Sequence, residues 1–406
     1  MTQYKRLFSV AIIFACLLLA INFGLRSSMG FFMKPISEAF NQGREVFAFS
    51  LALQNLFWGL AQPFAGVIAD RYGSAKAIVG GAVLYALGLY VTANASSVWE
   101  LHAGAGILLG MGIAGTGFGV VLPAMARMVA PEKRAFALGL GTAAGSAGQF
   151  LLVPLGRSFV ESYGWEMALI MMAVGSLLMI VLAKPFAGDA VSKTASDSGP
   201  DQTLGEALKE ASTHIHYWLL VGGFFVCGFQ LAFITVHMPA YLSDQGFDSS
   251  VAAASLALIG LFNIIGSLAA GYLSGIHSMK WLLVYNYSGR TIILVLFLVF
   301  PISTFSIYAF SITTGLLWLA TVPPTSGLVA QMFGLRYMGT LYGIVFLCHQ
   351  LGSFSGVWLG GYLFDTIGSY NLVWWSTAII AGITALIHVF IDERPVPRMR
   401  LQQAEF

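Results

Sequence analysis

The sequence predicts an all-α membrane protein in which twelve transmembrane helices form two six-helix halves. Three observations predict this class. The 406 residues are 57% hydrophobic and only 9% charged, whereas about 25% of the residues of an average soluble domain are charged. Twelve stretches are long and apolar enough to cross a bilayer, which takes about 20 such residues. The second half of the chain also repeats landmarks of the first at a constant offset.

The twelve predicted helices follow one another through short connections. Their ranges are 8–33, 47–69, 77–94, 98–126, 134–157, 163–185, 215–242, 249–275, 280–300, 304–331, 337–363 and 370–391. Residues 186–212 form the one long polar stretch, which predicts a cytoplasmic linker with an amphipathic turn at Leu204–Ala211. The predicted domains are therefore an N-terminal bundle, residues 1–185, and a C-terminal bundle, residues 213–406.

Basic residues predict the orientation, because Lys and Arg concentrate in cytoplasmic loops. With the N-terminus inside, the cytoplasmic segments hold 15 of the 20 basic residues, namely Lys5, Arg6, Arg71, Lys76, Arg127, Lys133, Arg134, Lys184, Lys193, Lys209, Lys280, Arg336, Arg394, Arg398 and Arg400. We therefore expect a multi-pass protein of the plasma membrane, which is the inner membrane in a bacterium, with both termini in the cytoplasm.

The internal repeat has an offset of about 204 residues. Pro35 corresponds to Pro239. Four glycines correspond at 204, namely Gly139, Gly148, Gly156 and Gly164 with Gly343, Gly352, Gly360 and Gly368. Because six helices is an even number, both halves cross the membrane in the same sense. Parallel halves of this kind hold a substrate site between them near the bilayer midplane.

A motif at the inner end of helix 2 resembles the G-x-x-x-D-[RK]-x-G-x-[RK]-[RK] signature of the major facilitator superfamily. It consists of Gly66, Asp70, Arg71, Gly73 and Lys76, with Ala75 at one basic position. The resemblance implies the major facilitator fold, with two halves related by a pseudo-two-fold axis. We expect Asp70 to meet a neighbouring helix N-terminus while Arg71 and Lys76 stay in the basic inner layer.

Two further stretches resemble the monocarboxylate transporter and oxalate–formate antiporter group. One is the helix 1 segment from Asn22 through Arg26 to Phe31 and Phe32, and the other runs from Tyr342 through His349 to Asp365. The resemblance implies transport of small carboxylates with a proton or by exchange. The segment Tyr272–Lys280 lacks the Asp–Arg pair that animal monocarboxylate transporters carry around helix 8, which leaves the coupling ion open.

The placement of charge predicts an anionic substrate. All 18 acidic residues fall at helix ends or in loops, the linker and the tail, so Arg26 and Arg290 have no counter-ion within the predicted spans. Ionisable groups in the bilayer core are costly and are candidates for function. Arg26 shares a helix face with Asn22, and its planar fork suits a carboxylate. The alternative is that Arg26 snorkels toward the outer interface.

Other polar side chains in the spans are candidate cavity residues. His237 and His349 are candidate proton carriers, because histidine titrates near neutral pH, and packing is their alternative role. Arg290 lies on helix 9, at the expected periphery, where it either joins helices or binds substrate. The remaining candidate substrate ligands are Asn22, Gln54, Trp58, Gln230 and Asn263. For Gln54, Trp58 and Asn263 the alternative is helix–helix hydrogen bonding.

The sequence indicates a transporter rather than an enzyme. Gly110–Gly115 spells G-x-G-x-x-G within an apolar helix, where it favours close packing instead of nucleotide binding. We therefore expect no catalytic residue, metal, cofactor or nucleic acid, and a monomer in the bilayer. The leading hypothesis is proton-coupled transport of small monocarboxylates such as lactate or pyruvate by alternating access. The alternative is an organic-anion or dicarboxylate exchanger of the oxalate–formate type.

Overall fold

The computed structural model describes residues 9–187 and 202–404, and within these ranges the chain forms helices and no strand. We number the long helices α1 to α12. They are α1 (Val10–Ala39, with a 3₁₀ turn at Met29–Phe32), α2 (Arg44–Tyr72), α3 (Ser74–Ala93), α4 (Val98–Met128), α5 (Arg134–Tyr163), α6 (Trp165–Phe186), α7 (Ile215–Asp244), α8 (Ser249–Leu273), α9 (Met279–Val299), α10 (Thr304–Phe333), α11 (Met338–Ile367) and α12 (Asn371–Val389).

The prediction of twelve helices is confirmed, and α2 differs from the other eleven in its hydropathy. Eleven helices in the described ranges have the length and mean hydropathy of a membrane span. The exception is α2, which is 29 residues long. Its hydropathy is lowered by Gln54, Asn55 and Gln62, of which Gln54 and Gln62 are buried inside the protein. A helix whose polar side chains face protein does not need the apolar surface that lipid demands.

The polar stretch between the halves contains a short helix where the sequence predicts an amphipathic turn. This helix spans Leu204–Thr213 and begins with a capping box, in which the Thr203 side chain and the Glu206 carboxylate each bond the other's backbone N–H. Those hydrogen bonds lower the pKa of Glu206. Residues 188–201 of the predicted linker lie outside the described residues, as do residues 1–8 with Lys5 and Arg6. The domain boundaries stay a prediction.

Glycines bring helix backbones together in corresponding places of the two halves. In the first half, α5 packs on α1, where a side chain at Gly148 would collide with the backbone of Ala20. In the second half, α11 packs on α7, where a side chain at Gly352 would collide with the backbone of Phe225. Because Gly148 and Gly352 are related by the 204-residue offset, the same small-residue contact is built twice.

The two halves meet closely at one end of the bundle, which we call the motif end because it carries Asp70. There α2 crosses α11, and a side chain at Gly66 would collide with the backbone of Gly339. Alongside, α5 crosses α8, and a Cβ added to Gly139 would lie 2.6 Å from the Cα of Gly271. These contacts close the motif end between the halves.

Two helices are broken near their middle, at positions related by the repeat. The backbone of Gly117 is extended and separates Leu109–Thr116 from Phe118–Met128 in α4. Residues 318–321 separate Thr304–Leu317 from Val322–Phe333 in α10. Because a broken helix leaves backbone groups without intrahelical partners, other elements must supply them at membrane depth.

Candidate functional site

A cavity of about 280 Å³ lies between the two halves, on the side of the bundle centre away from the motif end. It is lined by polar groups and aromatic rings from α1, α2, α4, α5, α7, α10 and α11. The lining residues are Phe23, Arg26, Ser27, Asn55, Trp58, Phe118, Gly145, Ser146, Gln149, Leu231, Ala232, Thr235, Val236, Trp318, Leu319, Val322, Phe346, His349, Gln350, Ser353 and Val357.

Arg26 is the one charged residue in this lining. Its Nη2 donates to Asn55 Oδ1 at 2.7 Å, and its guanidinium carbon lies 5.0 Å from the centre of the Trp58 ring. Its Nε is buried and has no hydrogen-bond partner. The partners from α2 fix the guanidinium at the cavity wall and leave donor capacity for a bound anion.

A row of rings leads from Arg26 across the cavity wall. The Trp58 ring lies 4.9 Å from Phe346, and Phe346 stacks on His349 with ring centres 5.2 Å apart. The indole N–H of Trp58 donates to Gln62 Oε1 at 3.0 Å, which fixes the ring plane. The row therefore joins α1 of the first half to α11 of the second through side chains that touch the cavity.

His349 and Gln350 are buried in α11 and belong to the cavity lining, and each has a shielded polar atom without a partner. His349 Nδ1 and Gln350 Oε1 have no hydrogen-bond partner. Buried polar atoms in native proteins are nearly always hydrogen-bonded, and the exceptions call for an explanation.

The broken part of α10 forms the wall contributed by Trp318 and Leu319, and Arg290 holds it in place. Arg290 Nη2 donates to the carbonyl oxygens of Leu317, at 2.6 Å, and of Trp318. Its Nη1 donates to Gln230 Oε1 at 3.0 Å. A cation at the carboxyl end of a helix segment satisfies orphan carbonyls and opposes the helix dipole.

Of the two roles expected for Arg290, the structure therefore has the helix-joining contacts, and Arg290 is not among the residues that line the cavity. Gln230 is likewise outside the lining. It accepts from Arg290 and donates to the Thr377 carbonyl at 3.2 Å. At the corresponding position of the first half, Arg26 faces the cavity, so the repeat is asymmetric at this point.

Asn22, Gln54 and Asn263 make helix–helix hydrogen bonds instead of lining the cavity. Asn22 donates to Thr116 Oγ1 at 2.6 Å, directly before the break in α4, and Gln54 donates to the Ala105 carbonyl at 3.0 Å. Asn263 accepts from the backbone N–H of Leu319, at 3.0 Å, in the break of α10. None of the three residues lines this cavity, so their roles as substrate ligands stay a prediction.

Asn263 also bridges the two halves. Its amide nitrogen donates to Ser146 Oγ of α5 at 2.7 Å. Ser146 lines the cavity, so this bond lies at the border between the cavity and the closed motif end. The bond joins the broken wall of α10 to the first half of the molecule.

His237 lies beyond the cavity, and both of its ring nitrogens are occupied. Its Nε2 lies 2.9 Å from the Val357 carbonyl oxygen, and its Nδ1 lies 3.3 Å from the hydroxyl of Tyr370. The ring is buried against Gly360 of α11. His349, whose Nδ1 has no partner, is therefore the better placed of the two candidate proton carriers.

The motif residues make the contact that the sequence predicts for Asp70. Its carboxylate accepts from Thr340 N at 2.7 Å, Thr340 Oγ1 at 2.8 Å and Gly339 N at 3.2 Å, at the N-terminus of α11. Arg127 lies 3.3 Å from the same carboxylate. Arg71 and Lys76 are exposed, and Gly73 forms the α2–α3 turn at φ 97°, a backbone conformation that favours glycine.

No acidic residue lines the central cavity among the residues that the structure describes. A larger groove of about 860 Å³ opens at the motif end, with Glu132, Arg134 and Glu393 in its lining. The contact between Gly139 and Gly271 and the Asn263–Ser146 bond lie between this groove and the central cavity. Within the described ranges, no cluster of three or more His, Cys, Asp or Glu residues has the geometry of a metal site.

Several cavity residues were not among the predicted ligands, and the repeat offset relates three of them to residues of α11. Gly145, Ser146 and Gln149 precede His349, Gln350 and Ser353 by 204 residues, and all six line the cavity. Applying the offset to His349 and Gln350 would have indicated the first-half residues. Asn55 has a different signal, because it lies beside the polar stripe that Gln54 and Trp58 form on helix 2.

Two six-helix halves, each with a broken helix beside a shared central cavity, are an arrangement typical of secondary transporters. The sequence profile described as "Major Facilitator Superfamily" matches residues 15–357. The chain belongs to this superfamily, which is a family of multi-pass integral membrane transporters and not of enzymes.

Similar proteins extend over nearly the whole chain. The "uncharacterized MFS-type transporter YcxA" of Bacillus subtilis (strain 168) is 27% identical, over 91% of this chain and 92% of the relative. Monocarboxylate transporter 13 of Bos taurus is 24% identical, over 93% of this chain and 89% of the relative.

Solved structures share the fold at low sequence identity. The transporter FucP, solved in the outward conformation, matches with a TM-score of 0.74 at 15% identity, over 95% of this chain and 100% of FucP. The proton:xylose symporter XylE matches with a TM-score of 0.73 at 13% identity, over 97% of this chain and 98% of XylE. These matches confirm the predicted major facilitator fold with its twelve helices.

Proposed function

We propose that this transporter carries small monocarboxylate anions of the lactate and pyruvate type by alternating access. The observation that supports this most is the pairing of Arg26 with a cavity that no described acidic residue lines. A guanidinium in a low-dielectric cavity attracts an anion and disfavours a cation. Asn55 accepts one hydrogen bond from the Arg26 guanidinium, and the carboxylate of the solute would accept hydrogen bonds from its other N–H groups.

The charge of the cavity favours a monocarboxylate over a dicarboxylate. The lining of this cavity of about 280 Å³ contains one cationic residue, Arg26. A dicarboxylate would need a second cation. Arg290, which is not in the lining, gives its Nη atoms to Gln230 and to the carbonyls of Leu317 and Trp318, which supports the single-carboxylate hypothesis over dicarboxylate exchange.

The relatives support the same substrate class. Monocarboxylate transporters 11, 12 and 13 of several vertebrates match this chain at 23–25% identity. At this identity their names do not assign a substrate by themselves. Together with Arg26 and the anion-compatible cavity, they favour carboxylates over sugars or cationic solutes.

His349 is the proposed proton carrier. Its ring is buried beside the cavity, and its Nδ1 has no hydrogen-bond partner in the described structure. A proton on His349 would add a second positive charge near the bound anion, so proton and anion would favour each other's binding. His237 is disfavoured because both of its nitrogens are engaged.

Alternating access would use the two bundles, residues 1–185 and 213–406, as rocking units about the cavity. In the present structure the halves touch at the motif end, where Asp70 meets α11. We propose that this end faces the cytoplasm, that the protein lies in the plasma membrane, and that one chain is the functional unit. Opening the motif end would require Asp70 to leave the N-terminus of α11.

Uptake by purified protein in proteoliposomes tests the proposal. Labelled lactate should accumulate when an inward proton gradient is imposed, and Arg26→Ala should lower kcat/KM about 100-fold. That factor corresponds to about 3 kcal/mol, or two lost hydrogen bonds to a charged group. The matched control is Arg157→Ala, which removes an exposed arginine paired with Glu161 at 2.7 Å. Undiminished uptake by Arg26→Ala would refute the proposal.

A further inference from the structure

Asn263 of α8 joins three helices through one buried amide group. Its Nδ2 donates to Ser146 Oγ of α5, in the other half of the molecule, at 2.7 Å. Its Oδ1 accepts from the backbone N–H of Leu319, in the break of α10, at 3.0 Å. The same oxygen accepts from Ser267 Oγ of α8 at 3.2 Å. One side chain, of which only 1% is exposed, therefore contacts the opposite half and the broken helix together.

The bond between Asn263 and Ser146 depends on the contact of α5 with α8. These helices cross where a Cβ added to Gly139 would lie 2.6 Å from the Cα of Gly271. Ser146 follows Gly139 on α5 by about two turns, and Asn263 precedes Gly271 on α8 by about two turns. Separating the halves at the motif end would move Ser146 away from Asn263. The bond therefore stabilises the closed motif end and is lost in the open one.

The amide of Asn263 also holds a part of the cavity wall. Trp318 and Leu319 belong to the lining and lie in the break of α10, where backbone groups need partners outside their own helix. The Leu319 N–H finds its acceptor in Asn263 Oδ1. Because an amide group is planar, Oδ1 and Nδ2 turn together about one side-chain bond. The bond from Nδ2 to Ser146 thereby fixes the direction in which Oδ1 meets Leu319.

We propose that Asn263 is a positioning residue that couples closure of the motif end to the shape of the cavity. Its bond to Ser146 holds the amide that binds the break of α10, and opening the motif end frees this amide to turn away from Leu319. Arg290 holds carbonyls beside the same break from within the second half, so its contacts do not depend on closure. The inference rests on the alternating access proposed above and not on the identity of the solute.

Removing the acceptor on α5 tests the link between the bond and closure. Ser146→Ala leaves the Asn263 NH₂ group unpaired in the closed state, so the ratio of open to closed motif ends should rise about tenfold, which corresponds to about 1.4 kcal/mol. Spin labels at Lys133 and His277, exposed on the two halves at the motif end, measure this ratio in purified full-length protein without its native cysteines. Ser267→Ala is the matched control, because it removes a hydroxyl from the same amide within one helix, and it should leave the ratio unchanged.

Hydrogen exchange tests the link between closure and the cavity wall. In Ser146→Ala the backbone N–H of Leu319 should exchange about tenfold faster, in step with the open population, because an amide exchanges through the states in which its hydrogen bond is broken. In Ser267→Ala its exchange should stay at the parental rate. Mass spectrometry of peptides that contain Leu319 follows this amide without a label or a solute, and it detects open populations too small for distance measurements.

Each outcome supports or overturns a defined part of the inference. Parental distances together with parental exchange in Ser146→Ala would overturn it. Longer distances with parental exchange at Leu319 would overturn the coupling to α10. An equal effect of Ser267→Ala would overturn the assignment to the bond between the halves. Because both measurements are made without solute, absence of lactate uptake in proteoliposomes would overturn the proposed substrate and leave this inference standing.

Discussion

Replacing Asp70 with asparagine perturbs the contact that closes the motif end. The Asp70 carboxylate accepts three hydrogen bonds from Gly339 and Thr340 at the first turn of α11, at 2.7, 2.8 and 3.2 Å. It also pairs with Arg127 at 3.3 Å. The Asp70→Asn substitution would keep the shape of the side chain but remove its charge. One of the two carboxylate oxygens would become an NH₂ group that faces backbone donors.

The free energy that the closed motif end loses in Asp70→Asn follows from these contacts. A hydrogen bond to a charged group contributes about 1.5–3 kcal/mol and a neutral one about 0.5–1.5 kcal/mol, so three bonds lose roughly 3 kcal/mol together. Arg127 retains its bond to Ser74 at 2.9 Å, which limits any further loss. Because about 1.4 kcal/mol is a factor of ten, the ratio of closed to open motif ends should fall about 100-fold.

Distances between spin labels across the motif end measure this ratio. Labels at Lys133 and His277 report on the first and second halves, because both side chains are exposed in loops that flank the α5–α8 crossing. The labels require a background without the three native cysteines. In the parent we expect a dominant short distance population, and in Asp70→Asn the ratio of long to short distances should rise about 100-fold.

Asp392→Asn is the matched control, because Asp392 is a carboxylate near the same end whose hydrogen bonds and ion pair are to Arg394 of the same half. Its hydrogen bonds to Arg394 lower the pKa of Asp392, so the group is charged at neutral pH and the control removes a full charge. An Asp70→Asn protein with the parental distance distribution would refute the account of the closed end.

Two further predictions concern Arg290, which holds the cavity wall, and His349, the proposed proton carrier. Arg290→Leu should lower the free energy of unfolding by about 3–5 kcal/mol, because it leaves Gln230 and two buried carbonyls without their donor, whereas Arg290→Lys should restore part of it. Thermal unfolding in detergent checks this, and equal stability of Arg290→Leu and wild type would contradict it. His349→Gln should lower proton-driven lactate uptake at least about tenfold more than lactate–lactate exchange, because exchange needs no net proton movement. Equal losses in both modes would count against His349 as the proton carrier.

Much of the fold could be predicted because membrane helices are specified locally. Each span needs its own apolar length, and the 204-residue repeat gives the relation of the halves without any contact information. The α2 span was also predicted from its own apolar length, at residues 47–69, although its polar residues lower its hydropathy. The break in α10 was missed, although Pro323 and Pro324 mark the start of its second segment.

The site could be predicted only in part, because sequence indicates which residues share a helix face and not which partner each side chain chooses. Arg26, Trp58 and His349 line the cavity as expected. Gln230 occupies the position that corresponds to Arg26, yet Arg290 and the Thr377 carbonyl hold it elsewhere. Those partners lie 60 and 147 residues away along the chain, so only the tertiary structure determines the direction of the side chain.

The central claim is that Arg26 recognises the negative charge of the solute, and equilibrium binding tests it most directly. Binding of L-lactate and of its neutral amide, lactamide, to detergent-purified protein compares two solutes that share a hydroxyl and differ mainly in charge. The account predicts that wild type binds lactate at least about tenfold more tightly, as expected for charge-assisted hydrogen bonds, and that Arg26→Ala abolishes this difference. Equal affinity of the wild type for both solutes, or an undiminished preference for lactate in Arg26→Ala, would contradict it.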